Sequence, residues 1–231
     1  MDLTRKPITH PKANFQGLGY TQEYESRYDQ RMNDTSITTR FGEIIATSSS
    51  TMVAQCYELY KSPQIGAITR VGDADNAAYC VVQEIRTESV DPGRRPTAMG
   101  KKVESLAQLH TENPQIEQLF KTDLDLLVVG RAQGKEIQRS LPIQPPPIHS
   151  FVYTCTLPEI RAVTAGVNFL EILLQSSQSA NVSLIAECIQ YCTPYQPDPQ
   201  EYLTSVGRQL VRSLYMEPAK LSMVLHAIGA V

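Results

Sequence analysis

Long apolar runs, paired cysteine motifs, clustered histidines and a surplus of basic charge are all missing from this chain of 231 residues. Each absence removes a class of function. The most apolar segment, Val167 to Leu174, is far short of the ~20 residues a membrane helix needs, and Glu171 interrupts it. The opening stretch MDLTRKPITHPKANF carries charges and prolines where a secretory signal requires a continuous apolar centre. A cytoplasmic chain with no membrane span is the expectation. Lys and Arg number 21 against 24 Asp and Glu, a net charge of −3, so the electrostatic surplus of a DNA-wrapping protein is lacking. A local basic patch stays open.

The five cysteines, Cys56, Cys80, Cys155, Cys188 and Cys192, include no CxxC pair, which argues against both a disulfide framework and a zinc ribbon. Cys188 and Cys192 are four apart, on one helix face, and read as small core residues rather than half a metal site. The four histidines, His10, His110, His149 and His226, have no second histidine at ligand spacing. A Cys155–His149 pair, six residues apart, carries no nucleophile signature. Two glycine-lysine stretches also fail as phosphate loops. Gly130 to Gly134 has three intervening residues where four are needed, and Glu136 stands where a hydroxyl should be. Gly93 to Gly100 has six and again lacks the hydroxyl. The expectation is a non-enzymatic chain with no catalytic residue, no cofactor and no metal.

What the chain does contain is a hydrophobic share of 42% with only 19% charged residues, enough apolar surface for a buried core. Residues 1–38 read as an N-terminal arm, broken early by Pro7, Pro11, Gly17 and Gly19. Within it Tyr20, Tyr24, Tyr28 and Met32 recur every fourth residue, one aromatic stripe on a short helix. That stripe can pack on its own domain or dock on another subunit, since Tyr gives contact area at low entropic cost.

From Phe41 the pattern is that of short strands divided by turns. Phe41–Thr47 and Met52–Tyr60 are joined across Ser48-Ser49-Ser50; Ala67–Val71 ends at Gly72-Asp73. Ala77–Thr87 follows, with Tyr79, Val81 and Ile85 expected on one face and Glu84 and Arg86 on the other. After two short helices near Val103–Leu109 and Gln115–Phe120, Leu124–Ala132 is a strand with Leu124, Leu126 and Val128 on one face. Gln133-Gly134 turns it into a hairpin with Glu136–Leu141, Pro145-Pro146-Pro147 enforces an extended lead-in, and Phe151–Cys155 is the last strand. Short strands so closely spaced favour a closed barrel or sandwich over a parallel α/β sheet.

Beyond Thr156 the periodicity is helical. Thr156 to Glu159 and Asp198 to Glu201 have capping-box form, the second with Pro199 at the tolerated first position. Leu203, Val206, Leu210 and Leu214 form one stripe; Leu221, Val224, Leu225 and Ile228 form another on a helix opened by Pro218; Val182–Cys192 is a third amphipathic stretch. The division is therefore an arm at 1–38, a small closed β-barrel at 39–156 and a helical subdomain at 157–231, an α+β architecture. Basic residues gather at two places. Arg94, Arg95, Lys101 and Lys102 lie on and beside the turn-rich Asp91–Pro96 loop, and Arg131, Lys135 and Arg139 surround one hairpin. Solvated loops account for both, and the alternative is contact with a phosphate backbone or an acidic partner.

The order of the segments FGEII (41–45), AITRVG (67–72), VVQEIR (81–86), LLVVG (126–130), PPPIHSFVY (145–153) and LPEI (157–160) resembles the HAS-barrel, the small barrel at the N-terminus of HerA-like hexameric ATPases and of ATP synthase subunits. The likeness spans roughly residues 39–165. Where that family continues into a RecA-like motor, this chain has only a helical tail and no Walker motif, so motor activity does not carry over. The resemblance implies lateral packing into a ring crown or docking of a partner. Three uses follow. The first is an assembly, adaptor or regulatory module that self-associates or binds a protein partner, such as a HerA-like or other ring ATPase. Contact residues for it are Tyr20, Tyr24, Tyr28, Arg94, Arg95, Lys101, Lys102, Arg131 and Arg139. The second is nucleic-acid binding through the Arg94–Lys102 loop. The third is a small-molecule or enzymatic pocket between barrel and helices.

Overall fold

Seven strands form where the apolar alternation places them: β1 Arg40–Thr47, β2 Thr51–Cys56, β3 Ile68–Val71, β4 Ala78–Ser89, β5 Phe120–Gln133, β6 Glu136–Gln138 and β7 Phe151–Thr154. The computed structural model describes residues 38–134, 136–176 and 182–229. Tyr20, Tyr24, Tyr28 and Met32 of the arm, and Lys135, lie outside these. All strand pairings are antiparallel, in the order β2-β1-β7-β3-β4-β5, and β2 also pairs with β5. The last pairing, Met52 opposite Leu126 and Ala54 opposite Leu124, closes a six-stranded barrel. Closure removes the free sheet edges. The short β6 extends β5 outside the ring through the turn at Gly134, whose φ of +60° suits glycine.

The lumen is filled from every strand of the ring: Ile44, Met52, Ala54, Val71, Cys80, Val82, Leu124, Leu126, Val128 and Val152 are all buried in one cluster. Leu124, Leu126 and Val128 do share a face, as their spacing predicts. The expected partition of β4 does not hold. The register of β4 against β5 slips between Val82 and Glu84, so Gln83 is an extra residue, and Ile85 packs against the lumen cluster with Val82. Tyr79 stays on the outer face, where its hydroxyl reaches Glu159. Boundaries also shift: β6 ends at Gln138 rather than Leu141, and two further shifts have a clear cause. β2 stops at Cys56 because the chain turns through Glu58–Lys61, with Tyr60 at a φ of +65°. β5 begins at Phe120, four residues before its apolar run, because across the strands Lys121 pairs with Glu88 of β4 and Asp123 accepts a hydrogen bond from Gln55 of β2.

Among the described residues there are seven α-helices: α1 Leu106–Glu112, α2 Ile116–Leu119, α3 Leu157–Thr164, α4 Phe169–Gln175, α5 Val182–Cys192, α6 Pro199–Ser213 and α7 Pro218–Ala227. None is long and apolar enough to cross a membrane. The α3 start is a complete capping box, and Asp198 accepts hydrogen bonds from the Gln200 and Glu201 amides at the start of α6. Val206, Leu210 and Leu214 of the expected stripe are buried, with Tyr202 added; Leu203 is half-buried. Helix α4, whose Phe169, Leu170 and Leu173 are fully buried, packs on β5 and was legible only as an apolar run. A fully buried side chain of this kind stabilises by roughly 1.5–3 kcal/mol.

The helices sit directly on the barrel wall. The first half of β4, Ala78–Val82, is buried on both faces, one toward the lumen and one toward the helical layer. The closest approach is at Gly66, which has a φ of +81° and would bring a Cβ within 2.5 Å of the Cys188 amide nitrogen of α5. Only glycine fits both the backbone angle and the space.

Candidate interaction surface on the barrel wall

Pairing across β1, β7 and β3 sets a row of side chains on the outer wall. Tyr153 of β7 lies opposite Arg40 of β1 on one side and opposite Arg70 of β3 on the other. Phe151, two residues before Tyr153 on the same face, lies opposite Glu43. The result is an alternation of aromatic rings and guanidinium groups. Arg70 Cζ stands 4.4 Å from the Tyr153 ring centroid; Arg40 Cζ stands 4.5 Å from that of Phe151 and 5.5 Å from that of Tyr57. These separations are within cation–π range.

The two arginines meet different fates. Arg70 lies in a strand, Ile68–Val71, that is buried throughout. Its Nη1 donates to the Gly72 carbonyl at 2.8 Å, and its Nε lies 3.0 Å from Glu159 Oε1, an ion pair without hydrogen-bond alignment. Glu159 serves three neighbours. Its Oε2 accepts from the Thr156 amide at 2.7 Å and the Thr156 hydroxyl at 2.8 Å, while Oε1 accepts from Tyr79 at 3.3 Å. One carboxylate therefore caps α3 and also neutralises the buried guanidinium of the barrel. Burial, with the Glu159 charge second, pushes the Tyr79 hydroxyl up.

Arg40 is exposed, and its guanidinium has no hydrogen bond or ion pair among the described residues. Beside it Glu43 accepts from Tyr57 Oη at 2.9 Å and lies 3.0 Å from His149 Nδ1. Those hydrogen bonds, His149 first and Tyr57 second, hold the Glu43 carboxyl below its usual range. His149 has a left-handed φ of +68°, fixed by its amide donating to the Ile44 carbonyl where the proline lead-in enters β7. Such a conformation in a non-glycine residue costs about 1–3 kcal/mol and persists only where the surroundings over-determine it. Exposed Tyr57, Phe151, Ile45 and Ile148 complete the surface. Aromatic residues and Arg, with little competing charge, are the composition of interface centres.

The basic contact residues expected from the sequence fall elsewhere among the described residues, while Tyr20, Tyr24 and Tyr28 lie outside them. Arg94 lies 3.7 Å from Asp91 on an exposed turn; Arg95 is exposed beside it, and Lys101 and Lys102 form an exposed 3₁₀ turn at 100–102. Arg131 is taken up by Ser140 at 3.0 Å and Gln138 at 2.9 Å, and Arg139 donates to the Ala165 carbonyl. Arg131 thus ties the two arms of the hairpin together, and Arg139 ties the hairpin to the end of α3. The residues of this surface that the sequence reading did not assign to a contact are Arg40, Tyr57, His149 and Phe151. Spacing could not reveal them, because β1 and β7 are more than a hundred positions apart. Arg70 did leave a signal: a charge inside an otherwise apolar strand demands a partner.

The cysteines are buried free thiols. Burial pushes Cys56 up to about 11 and Cys80 to about 12, and raises Cys155 and Cys192 well above the ordinary range. Cys155 does not meet His149, whose ring nitrogen faces Glu43. No group of three or more metal-ligating side chains is found among the described residues. Between α4 and α6 an open cleft of about 650 Å³ is lined by Glu171, Gln209 and Arg212, and the Gln209 amide already donates to Glu171 at 2.6 Å.

No known protein family matches the chain, and no curated protein matches it at a significant level.

Proposed function

We propose that this chain is a non-catalytic assembly, adaptor or regulatory module. It binds a protein partner, or a second copy of itself, through the outer wall of its barrel, and a ring ATPase of the HerA-like kind is the partner class that the HAS-barrel resemblance implies. One observation carries the reading. Arg40 stands over the rings of Phe151 and Tyr57 and its guanidinium makes no hydrogen bond or ion pair among the described residues, with Tyr57, Phe151, Ile45 and Ile148 themselves exposed. A closed barrel with its lumen filled by side chains supports the reading further, since function on such a scaffold falls to the outer wall and the loops.

The test is size-exclusion chromatography with light scattering on the full chain, followed by co-purification from native lysate. Self-association or one stoichiometric partner is expected, with loss of the complex in Arg40→Ala. A strict monomer that recovers nothing overturns the reading. Nucleic-acid binding through Arg94–Lys102 gives a separate signature, an affinity for DNA or RNA that falls steeply as salt rises. The ion pair of Arg94 with Asp91 weighs against it.

A further inference from the structure

The barrel wall holds two guanidinium groups over aromatic rings, on either side of Tyr153, and the protein itself shows what completes one of them. Arg70, 4.4 Å from its ring, is met by the Glu159 carboxylate at the start of α3. Arg40, 4.5 Å from the Phe151 ring, feels the Glu43 charge beside it but makes no hydrogen bond or ion pair among the described residues. We infer that Arg40 takes a carboxylate side chain from a partner protein, presented as Glu159 is presented to Arg70, at the capped N-terminus of a helix. The inference rests on the adaptor reading above and names the chemistry of its docking surface.

Three features of the site favour this ligand. Cation–π contact with two rings restrains the guanidinium at 4.5 and 5.5 Å from their centroids, and its planar fork matches a carboxylate in two parallel hydrogen bonds. The aromatic rings provide apolar walls for the aliphatic part of an acidic side chain and for the first turn of its helix. Glu43 hydrogen-bonds Tyr57 and His149 rather than Arg40, so its charge acts on the guanidinium without filling the guanidinium's donors. A phosphate group would take the same fork but brings more charge. The carboxyl of Glu43 lies beside it and would repel the more highly charged group more strongly.

The probe is a fluorescent peptide copying residues 156–164, TLPEIRAVT, which carries the carboxylate already matched to the twin site. Two further peptides replace that Glu by Gln and by phosphoserine. Each is titrated against the full chain and against Arg40→Ala, with circular dichroism confirming that the exposed substitution leaves the fold intact. The expected result is saturable binding of the Glu peptide, at least tenfold weaker for the Gln peptide and at least tenfold weaker for Arg40→Ala. Absence of saturable binding, equal binding of the Gln peptide, indifference to Arg40, or tighter binding of the phosphoserine peptide overturns the inference. If one of these occurs while the complex seen by co-purification persists, the adaptor reading stands and only the carboxylate assignment is lost.

Discussion

Glu159 joins three neighbours, Thr156, Tyr79 and Arg70, through one carboxylate. It closes the capping box of α3 and faces a guanidinium that is only 10% exposed. Replacing one member of a buried ion pair leaves the other charge uncompensated, typically at a cost of about 3–5 kcal/mol. Glu159→Gln retains the shape and part of the cap, so a loss of about 3 kcal/mol is expected, read from urea unfolding. The double change Glu159→Gln with Arg70→Met removes both charges and should recover at least half of that loss. A double variant no better than the single one would show that the pair contributes through its geometry alone. The half of this node that lies within four residues, Thr156 to Glu159, could be read from spacing. The half that joins Glu159 to Arg70 could not, because 89 positions separate them and only the β3–β7 pairing beside α3 brings them together.

Among elements, α5 shows how closely barrel and helices are fitted. Its backbone at Glu187 and Cys188 rests on Gly66, with no room for a Cβ. Gly66→Ala must either move the helix or distort a turn already at φ +81°, and a loss above about 2 kcal/mol is expected by thermal or chemical unfolding. Gly134→Ala is the control, since it has a similar positive φ but open space around it. Its cost should be confined to backbone strain, about 1 kcal/mol, and equal losses for the two variants would refute the packing argument. At this scale periodicity served in part for α6 and α7: Val206, Leu210, Leu214, Val224 and Ile228 are buried as expected, whereas Leu203, Leu221 and Leu225 are only half-buried. It failed at β4, where the extra residue Gln83 reverses the alternation and sends Ile85 inward. A bulge depends on the register against a neighbouring strand, which local alternation does not contain.

For the whole molecule, the thiols report on cooperativity. All five cysteines are buried, Cys80 in the barrel, Cys188 and Cys192 in α5, and Cys155 between them in sequence at the end of β7. Burial suppresses ionisation of Cys56, Cys80, Cys155 and Cys192 so far that their reactive thiolates are scarce at neutral pH. In native protein a thiol reagent should modify Cys80, Cys155, Cys188 and Cys192 only at the rate of unfolding, with all five reacting at once in denaturant. If barrel and helices unfold as one unit, the barrel and helix thiols will be lost with one rate constant. Fast modification of Cys188 and Cys192 while Cys80 stays protected would show the helical layer opening alone.

By itself the sequence determined the strand-rich middle, the helical end, the caps at Thr156 and Asp198 and the hairpin at Gly134, because each depends on residues within a turn or two of one another. Tertiary structure alone decided the closure of β2 on β5, the inward turn of Ile85, the burial of Arg70 under Glu159 and the placement of Arg40 over the rings of Tyr57 and Phe151. The reason is physical: periodicity records which face a residue shows, whereas contact between faces is set by pairing across distant strands, whose loop-closure cost and register are properties of the whole chain.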